Sequence, residues 1–251
     1  TVRYRAEYKV LNAVEYGVPQ VRKRVFYIGN RIGVSIPWPK RTHWWPTGNI
    51  GLNYRGYERL RKKYLGIKRD PKIFGHMKMF VSVWEAISDL PLLEDEEGGE
   101  VMDYPSPPLT NYQKERRKGC DKLYNHVRPN HTEFTRKVIS FVPEGGNWKD
   151  LPKKYQNIRS FSNTWRRLHR FLPSVTIDTG HRHHFHPIAN RVPTVRESAR
   201  IQSFNDRFRF FGPRTHQFRM VGNAVPPLLA KAIALEIKKH MERWKIRFRD
   251  V

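Results

Sequence analysis

Two arginines set two residues apart, Arg22 and Arg24, stand in the segment "VPQVRKRVF" (18–26). On a strand alternate residues share a face, so both guanidiniums would point the same way. A guanidinium keeps its charge and presents its donors in a fixed fork, which suits it to steadying negative charge that builds during a reaction. Taken alone, a short basic run reads as a solvated strand, so the pair needs context. Cys120 is weaker as a chemical candidate. It sits in "RKGCDK" behind an expected helix end, whereas a reactive thiolate needs a held cation or a helix N-terminus, and a paired base. It reads as an incidental thiol. "HRHHFHP" (181–187) crowds four histidines, but in a strand His181 and His183 share one face while His184 and His186 share the other. At most two could converge, so no metal is expected.

The elements that must hold such groups follow from pattern. Residues 1–30 alternate, with "YKVLNAVEYG" and "RVFYIGN" reading as short strands or a helix-to-strand pair. Residues 31–187 are irregular and rich in Pro, Gly, Trp and basic residues, with an acidic loop "EDEEGGE" at 94–100. Ser82 and Glu85 have capping-box spacing ahead of Val83, Trp84, Ile87 and Leu90, and Pro91 ends that helix. Thr110 with Gln113, and Thr194 with Glu197, repeat the box. In "QFRMVGNAVPP" (217–227) Asn223 is expected to cap a helix whose first turn holds Pro226 and Pro227. Leu229, Ile233, Ile237, Met241 and Trp244 then stripe one helix face.

Composition narrows the partner. In 251 residues, 48 basic against 23 acidic side chains leave a net charge of +25, and the pI is near 10.5. That balance favours a polyanion over a small neutral ligand, and nucleic acid above all. No stretch reaches the ~18 apolar residues of a membrane span, and "TVRYRAEYKV" is charged where a signal peptide is apolar. A cytoplasmic, nucleoid-associated prokaryotic chain is expected. A single cysteine leaves no internal disulfide.

Three ordered segments carry a resemblance. "NAVEYGVPQVRKRVFYIGN" (12–30), "RVPTVRESARIQSFNDRF" (191–208) and "QFRMVGNAVPPLLAKAI" (217–233) resemble the C-terminal signature blocks of the DNA (cytosine-5) methyltransferases. "SVWEAISDLP" (82–91) resembles the helix that follows the first block, and "RLHRFLPSVTIDT" (167–179) the target-recognition core. The resemblance implies an α/β fold class: the C-terminal part of an S-adenosylmethionine-dependent methyltransferase fold, with edge strands and closing helices around an irregular mixed target-recognition domain. Residues 1–30 would supply a strand pair to the catalytic sheet, 31–187 the recognition domain, and 188–251 helices returning to the catalytic core.

The site residues follow from the same resemblance. Arg24 matches the arginine that steadies charge at cytosine O2 while C6 is attacked, with Arg22 beside it holding base or backbone; both are expected to be catalytic. Asn223 and Ala224 would lie at the S-adenosylmethionine pocket. For DNA the candidates are Gln20, Arg159, Arg166, Arg167, His169, Arg170, Thr176, Ile177 and Arg191, since a cytosine inside a duplex must be flipped out and the gap braced by loops beside it. Arg191 could equally pair with an acidic neighbour. The family's Pro-Cys nucleophile, Glu-Asn-Val motif and glycine-rich cofactor loop are not in this sequence. The expected partners are therefore double-stranded DNA and an N-terminal methyltransferase half carrying those motifs, as in a split restriction-modification enzyme, with no activity for this part alone and an exposed apolar surface where the halves meet. The alternative is a non-catalytic DNA-binding or targeting subunit of the same fold. Basic charge does not distinguish DNA from a transfer-RNA substrate.

Overall fold

The computed structural model describes residues 3–46, 75–157, 165–179 and 184–243. Arg159, His181, His183 and Trp244 lie outside the described residues. Strands β1 (Arg5–Asn12) and β2 (Lys23–Asn30) pair antiparallel, in register from Arg5 opposite Asn30 to Asn12 opposite Lys23. A 3-10 turn over Ala13–Tyr16 links them and closes on Gly17, whose φ is 82°. A Cβ there would meet the His43 ring at 2.7 Å. Alternation then divides the hairpin. Leu11, Phe26 and Ile28 pack inward, while Tyr4, Tyr8, Val10, Val25 and Tyr27 lie exposed.

The middle of the chain is built from short pieces. β3 (His43–Trp44) and β4 (Lys78–Met79) form a two-residue parallel pair. Helix α1 (Val83–Ile87) begins at the Ser82–Glu85 capping box. After β5 (Gly98–Met102), helix α2 (Asn111–Arg117) begins at the Thr110–Gln113 box, and β6 (Leu123–Val127) returns antiparallel to β5. Then come α3 (Glu133–Ser140), a 3-10 turn over Trp148–Asp150, and α4 (Lys153–Gln156). β7 (Arg166–Arg167) pairs in parallel with β8 (His184–Phe185). Three helices follow: α5 (Val195–Ile201), α6 (Arg214–Asn223) and α7 (Pro227–Arg243). All three boxes form with both reciprocal hydrogen bonds.

The largest apolar core joins Val83, Ile87, Leu123, Leu168 and Ile177 from the middle of the chain to Val195, Ile201, Phe204 and Val221 from its end. α7 instead seals the hairpin. Leu229 and Ile233 are buried against Leu11, Ala13 and Tyr16, with Ile237 packed on the rim. Each such side chain contributes roughly 1.5–3 kcal/mol on leaving water.

Two expectations change here. Asn223 does not cap the last helix: it is the final residue of α6. Pro227 opens α7, and the carbonyl of Pro226 accepts the first intrahelical bond, from Ala230. The Ser203 hydroxyl accepts from the Leu228 amide at 3.1 Å, a bond from a residue 25 positions away that local spacing does not reveal. Second, Arg214–Arg243 contains a window long and apolar enough to cross a membrane, with hydropathy 1.3, although no such stretch was expected. The helix breaks at Ala224–Pro226, and Leu229 and Ile233 are spent on the hairpin core. Packing on the hairpin therefore accounts for part of this apolarity, and most of the window stays unburied.

Candidate functional site

The segment before β2, the recognition core and the turn between α6 and α7 meet at one buried polar node. Gln20 is fully buried. Its amide Nε2 donates to Gln202 Oε1, a short contact across 182 residues of sequence, and its Oε1 accepts from the Ile177 amide at 3.0 Å. Gln202 Nε2 in turn donates to the carbonyls of Val221 at 3.1 Å and Ala224 at 2.9 Å. Arg22 completes the node, donating to the carbonyls of Ile177 at 2.8 Å and Gly222 at 2.6 Å. Its own amide donates to the Asn12 side chain at 3.1 Å, while Nε is buried with no acceptor among the described residues. Burial, with the charge of Arg24 second, draws Arg22 down to about 10. It stays charged at neutral pH.

The close approach at this node depends on a glycine. A Cβ on Gly222 would fall 2.0 Å from the carbonyl oxygen of Asp178 and 2.7 Å from Thr179 Cα. Backbone cannot swing aside as a side-chain tip can. Gly222→Ala gains about 1 kcal/mol of helix propensity, but an overlap with rigid backbone should cost more, about 3 kcal/mol at the upper end of the overpacking range. The expected result is a lower melting temperature for the variant, by several degrees. A melting curve that matches the parent would show that the α6–recognition-core contact yields freely.

The expected arginine pair splits. Arg24 is half-buried, and its one hydrogen bond among the described residues runs to its neighbour's carbonyl, Lys23 O, at 2.7 Å. Arg22 is spent on the protein's own carbonyls and acts in this structure as a clamp. Asn223 is exposed and Ala224 half-buried at the clamped turn, followed by an exposed Val225. A polar amide and an apolar side chain thus lie open at a turn whose backbone is fixed.

The DNA candidates sort by burial. Gln20 is an internal strut, Thr176 Oγ1 donates to the Val21 carbonyl at 3.0 Å, and Ile177 is a core residue. All three brace the recognition core; Gln20 and Ile177 are buried, while Thr176 is exposed. Arg167 is 4% exposed and donates to the carbonyls of Val142, Ile139, His186, Ile188 and Ala189. Burial pulls it to about 10. Arg191 is 2% exposed and forks onto Glu197 through two bonds of 2.7 Å. Both guanidiniums are buried, with their donors taken up by partners inside the protein. His169 is also buried, with Nδ1 accepting from the Phe171 amide, and Arg170 grips Glu144. Arg166 is half-buried on β7, where burial lowers its pKa. Beside this core a cleft of about 500 Å³ is lined by Ile177, Asp178, Val192, Ser198, Arg214 and Phe218.

Around α5 the charges are structural. Burial alone would raise the Glu197 pKa, but Arg191 outweighs it, followed by His186 and His126, and the carboxyl sits well below its usual range. Burial lowers His186 to about 4. Its Nδ1 accepts from the amides of Ile188 and Ala189, which requires the neutral ring. Among the described residues no cluster of three or more metal-ligating groups forms. Cys120 donates its thiol to the Lys122 carbonyl. Burial, then Asp206, raises its pKa, which keeps it a thiol.

Known proteins carry the same pattern. The chain is 34% identical to the type II methyltransferase M.DdeI of Desulfomicrobium norvegicum, over 96% of this chain and 56% of that protein. It is 31% identical to the type II methyltransferase M1.HphI of Haemophilus parahaemolyticus, over 94% of this chain and 48% of that protein. It thus spans about half the length of these curated relatives. In fold it is similar to a crystal structure provisionally described as a DNA modification methyltransferase encoded within a prophage (E. coli), with a TM-score of 0.63, 20% identity, and coverage of 95% of this chain and 61% of that one. The family model for C-5 cytosine-specific DNA methylase matches residues 1–239, and the chain belongs to that family.

Proposed function

We propose that the chain is the DNA-recognition and accessory catalytic part of a DNA (cytosine-5) methyltransferase, completed by an N-terminal half that carries the nucleophilic cysteine and most of the cofactor pocket. The observation that carries this reading is the node of Gln20, Arg22 and Gln202. It ties the arginine segment, the recognition core and the Gly222–Ala224 turn into one rigid unit. A pure DNA-binding module has no use for holding those three in mutual register, whereas a reaction between a flipped base and a cofactor depends on it.

The residues present fit a cofactor held partly by this chain. S-adenosylmethionine, when bound, supplies the methyl group. Asn223 offers a solvent-facing amide and Val225 an exposed apolar surface, on a turn that Arg22 and Gln202 grip by its carbonyls. Arg24, next to the clamp on β2, is the residue proposed to meet the base. Residues 31–187 form the DNA-reading domain, with Arg166 and Arg170 its candidate contacts among the described residues. The bare hairpin face of Tyr8, Val10, Val25 and Tyr27 supports a body docked there, since burying such a set is favourable by its apolar area alone.

The test uses tritiated S-adenosylmethionine and cytosine-containing duplex DNA. This chain, a polypeptide carrying the glycine-rich loop, Pro-Cys and Glu-Asn-Val, and their equimolar mixture are compared. Label should enter DNA only with the mixture. Methylation by this chain alone, abolished in Cys120→Ser, would overturn the account of the missing nucleophile. A stable complex that binds duplex DNA but methylates nothing would favour a targeting subunit, and methylation of transfer RNA in place of DNA would change the substrate.

A further inference from the structure

The region between β6 and β7 carries an aromatic and basic surface made of none of the residues assigned above. On α3 and its cap, Phe134, Lys137 and Phe141 follow at intervals of three and four, which is one helix face. Phe134 is 55% and Phe141 39% exposed. Tyr155 of α4 lies between them: its ring centroid is 5.4 Å from that of Phe141, nearly parallel at 20°, and 6.1 Å from that of Phe134 at 71°. Tyr155 itself packs on the core of Val138, Ile139 and Leu151, so the three rings form a platform anchored from below. Lys154 Nζ stands 5.0 Å from the Tyr155 ring centre, and Lys137 and Lys153 are exposed beside it.

Charge selects the occupant. Among the described residues, none of these three lysines is ion-paired to a carboxylate. Of the nearby acids, Asp150 accepts from the Asn147 amide, Glu144 holds Arg170 and Asp95 holds Arg136; Glu133, exposed in the first turn, also lies beside the stripe. Lysine is depleted at protein–protein interfaces, where arginine is preferred, so rings set among lysines point away from a protein partner. They suit a polyanion with flat apolar sugars between its charges. From Phe134 to Phe141 the helix rises roughly 10 Å at ~1.5 Å per residue, which spans about three nucleotide steps at ~3.4 Å each.

We propose that the stripe of Phe134, Lys137 and Phe141, with Tyr155, Lys153 and Lys154, binds the sugar–phosphate backbone of duplex DNA outside the target base, the lysines meeting phosphates and the rings packing on deoxyribose. The proposal rests on the DNA-acting reading above and adds to it a sequence-independent anchor, which fixes position without reading bases.

The test measures duplex binding by fluorescence anisotropy over a range of salt, using this chain. The parent should bind, and its log K should fall steeply with log salt. A triple variant, Lys137→Ala with Lys153→Ala and Lys154→Ala, should flatten that slope by about 3, one for each lost phosphate contact. Phe134→Ala with Phe141→Ala should weaken binding severalfold with the slope unchanged, because no charge is lost. All five side chains are exposed, and matching melting curves confirm that the variants fold. If the parent binds and both variants match it in affinity and slope, the stripe is not a DNA surface, while the proposed function stands. If single-stranded DNA binds more tightly than duplex, the backbone assignment is overturned. If the parent binds no DNA at all, the DNA-acting reading falls as well.

Discussion

Arg24→Ala in the assembled enzyme should slow methyl transfer by roughly 10²–10³-fold, the scale for removing one preorganised donor from a site of developing charge. The two arginines of this segment have different surroundings, which makes the expectation specific. Arg22 is 3% exposed, and its fork is occupied by the carbonyls of Ile177 and Gly222. Arg24 donates only to the carbonyl of its neighbour Lys23 among the described residues, which leaves most of its five donors for a substrate. Attack on the cytosine ring places negative charge on the base, and a fixed cation steadies it without giving up a proton. Cofactor affinity should change little, since the Gly222–Ala224 turn is gripped by Arg22 and Gln202 and not by Arg24. Single-turnover rates measured with saturating cofactor provide the check. A rate within a few-fold of the parent would remove Arg24 from the chemistry.

Arg200→Ala should cost about 3–5 kcal/mol of folding stability, the usual penalty for stranding buried charge. Arg200 is fully buried and forks between two buried carboxylates: Asp206 through two bonds of 2.6 Å, and Asp89 at 3.1 and 3.2 Å. It also donates to the Ala86 carbonyl at 2.8 Å, which joins α5 to α1. Arg196, 3.6 Å from Asp206, and Arg117, 3.2 Å from Asp89, remain in the variant, as does the Tyr104 hydroxyl bond to Asp206. The loss should therefore fall toward the lower end. At ~2–4 °C per kcal/mol for a chain of this size, the midpoint of thermal unfolding should drop by about 10 °C. A drop under 2 °C would mean that the remaining cations take over both carboxylates, and that Arg200 is one interchangeable charge among several.

Local chemistry was legible in the order of residues. Ser82 with Glu85, Thr110 with Gln113, and Thr194 with Glu197 each start a helix, because a capping box is closed within four consecutive residues and needs nothing from the rest of the chain. Alternation from Arg5 to Asn30 produces the hairpin, and the stripe of Leu229, Ile233 and Ile237 finds its apolar face for the same reason of period. The excess of 25 positive charges over the whole chain and the three ordered blocks needed no coordinates either.

What the order of residues left open was which cations remain available. Arg22 and Arg24 are alike as letters, and so are Arg166 and Arg167. Only the fold buries Arg22 under Gly222, 200 positions away, and surrounds Arg167 with carbonyls from two separate segments. Arg191, a plausible phosphate contact by its place before a helix, is claimed by Glu197 inside the core. The platform of Phe134, Phe141 and Tyr155 likewise exists only because α4 folds back onto α3. Helix starts and strand faces depend on neighbours within a few residues, whereas the exposure and partners of a long charged side chain depend on whatever backbone the tertiary fold lays against it. The sequence alone therefore determined the family pattern, the charge and the local elements, and the tertiary structure decided which arginines clamp the protein and which stay outside that network.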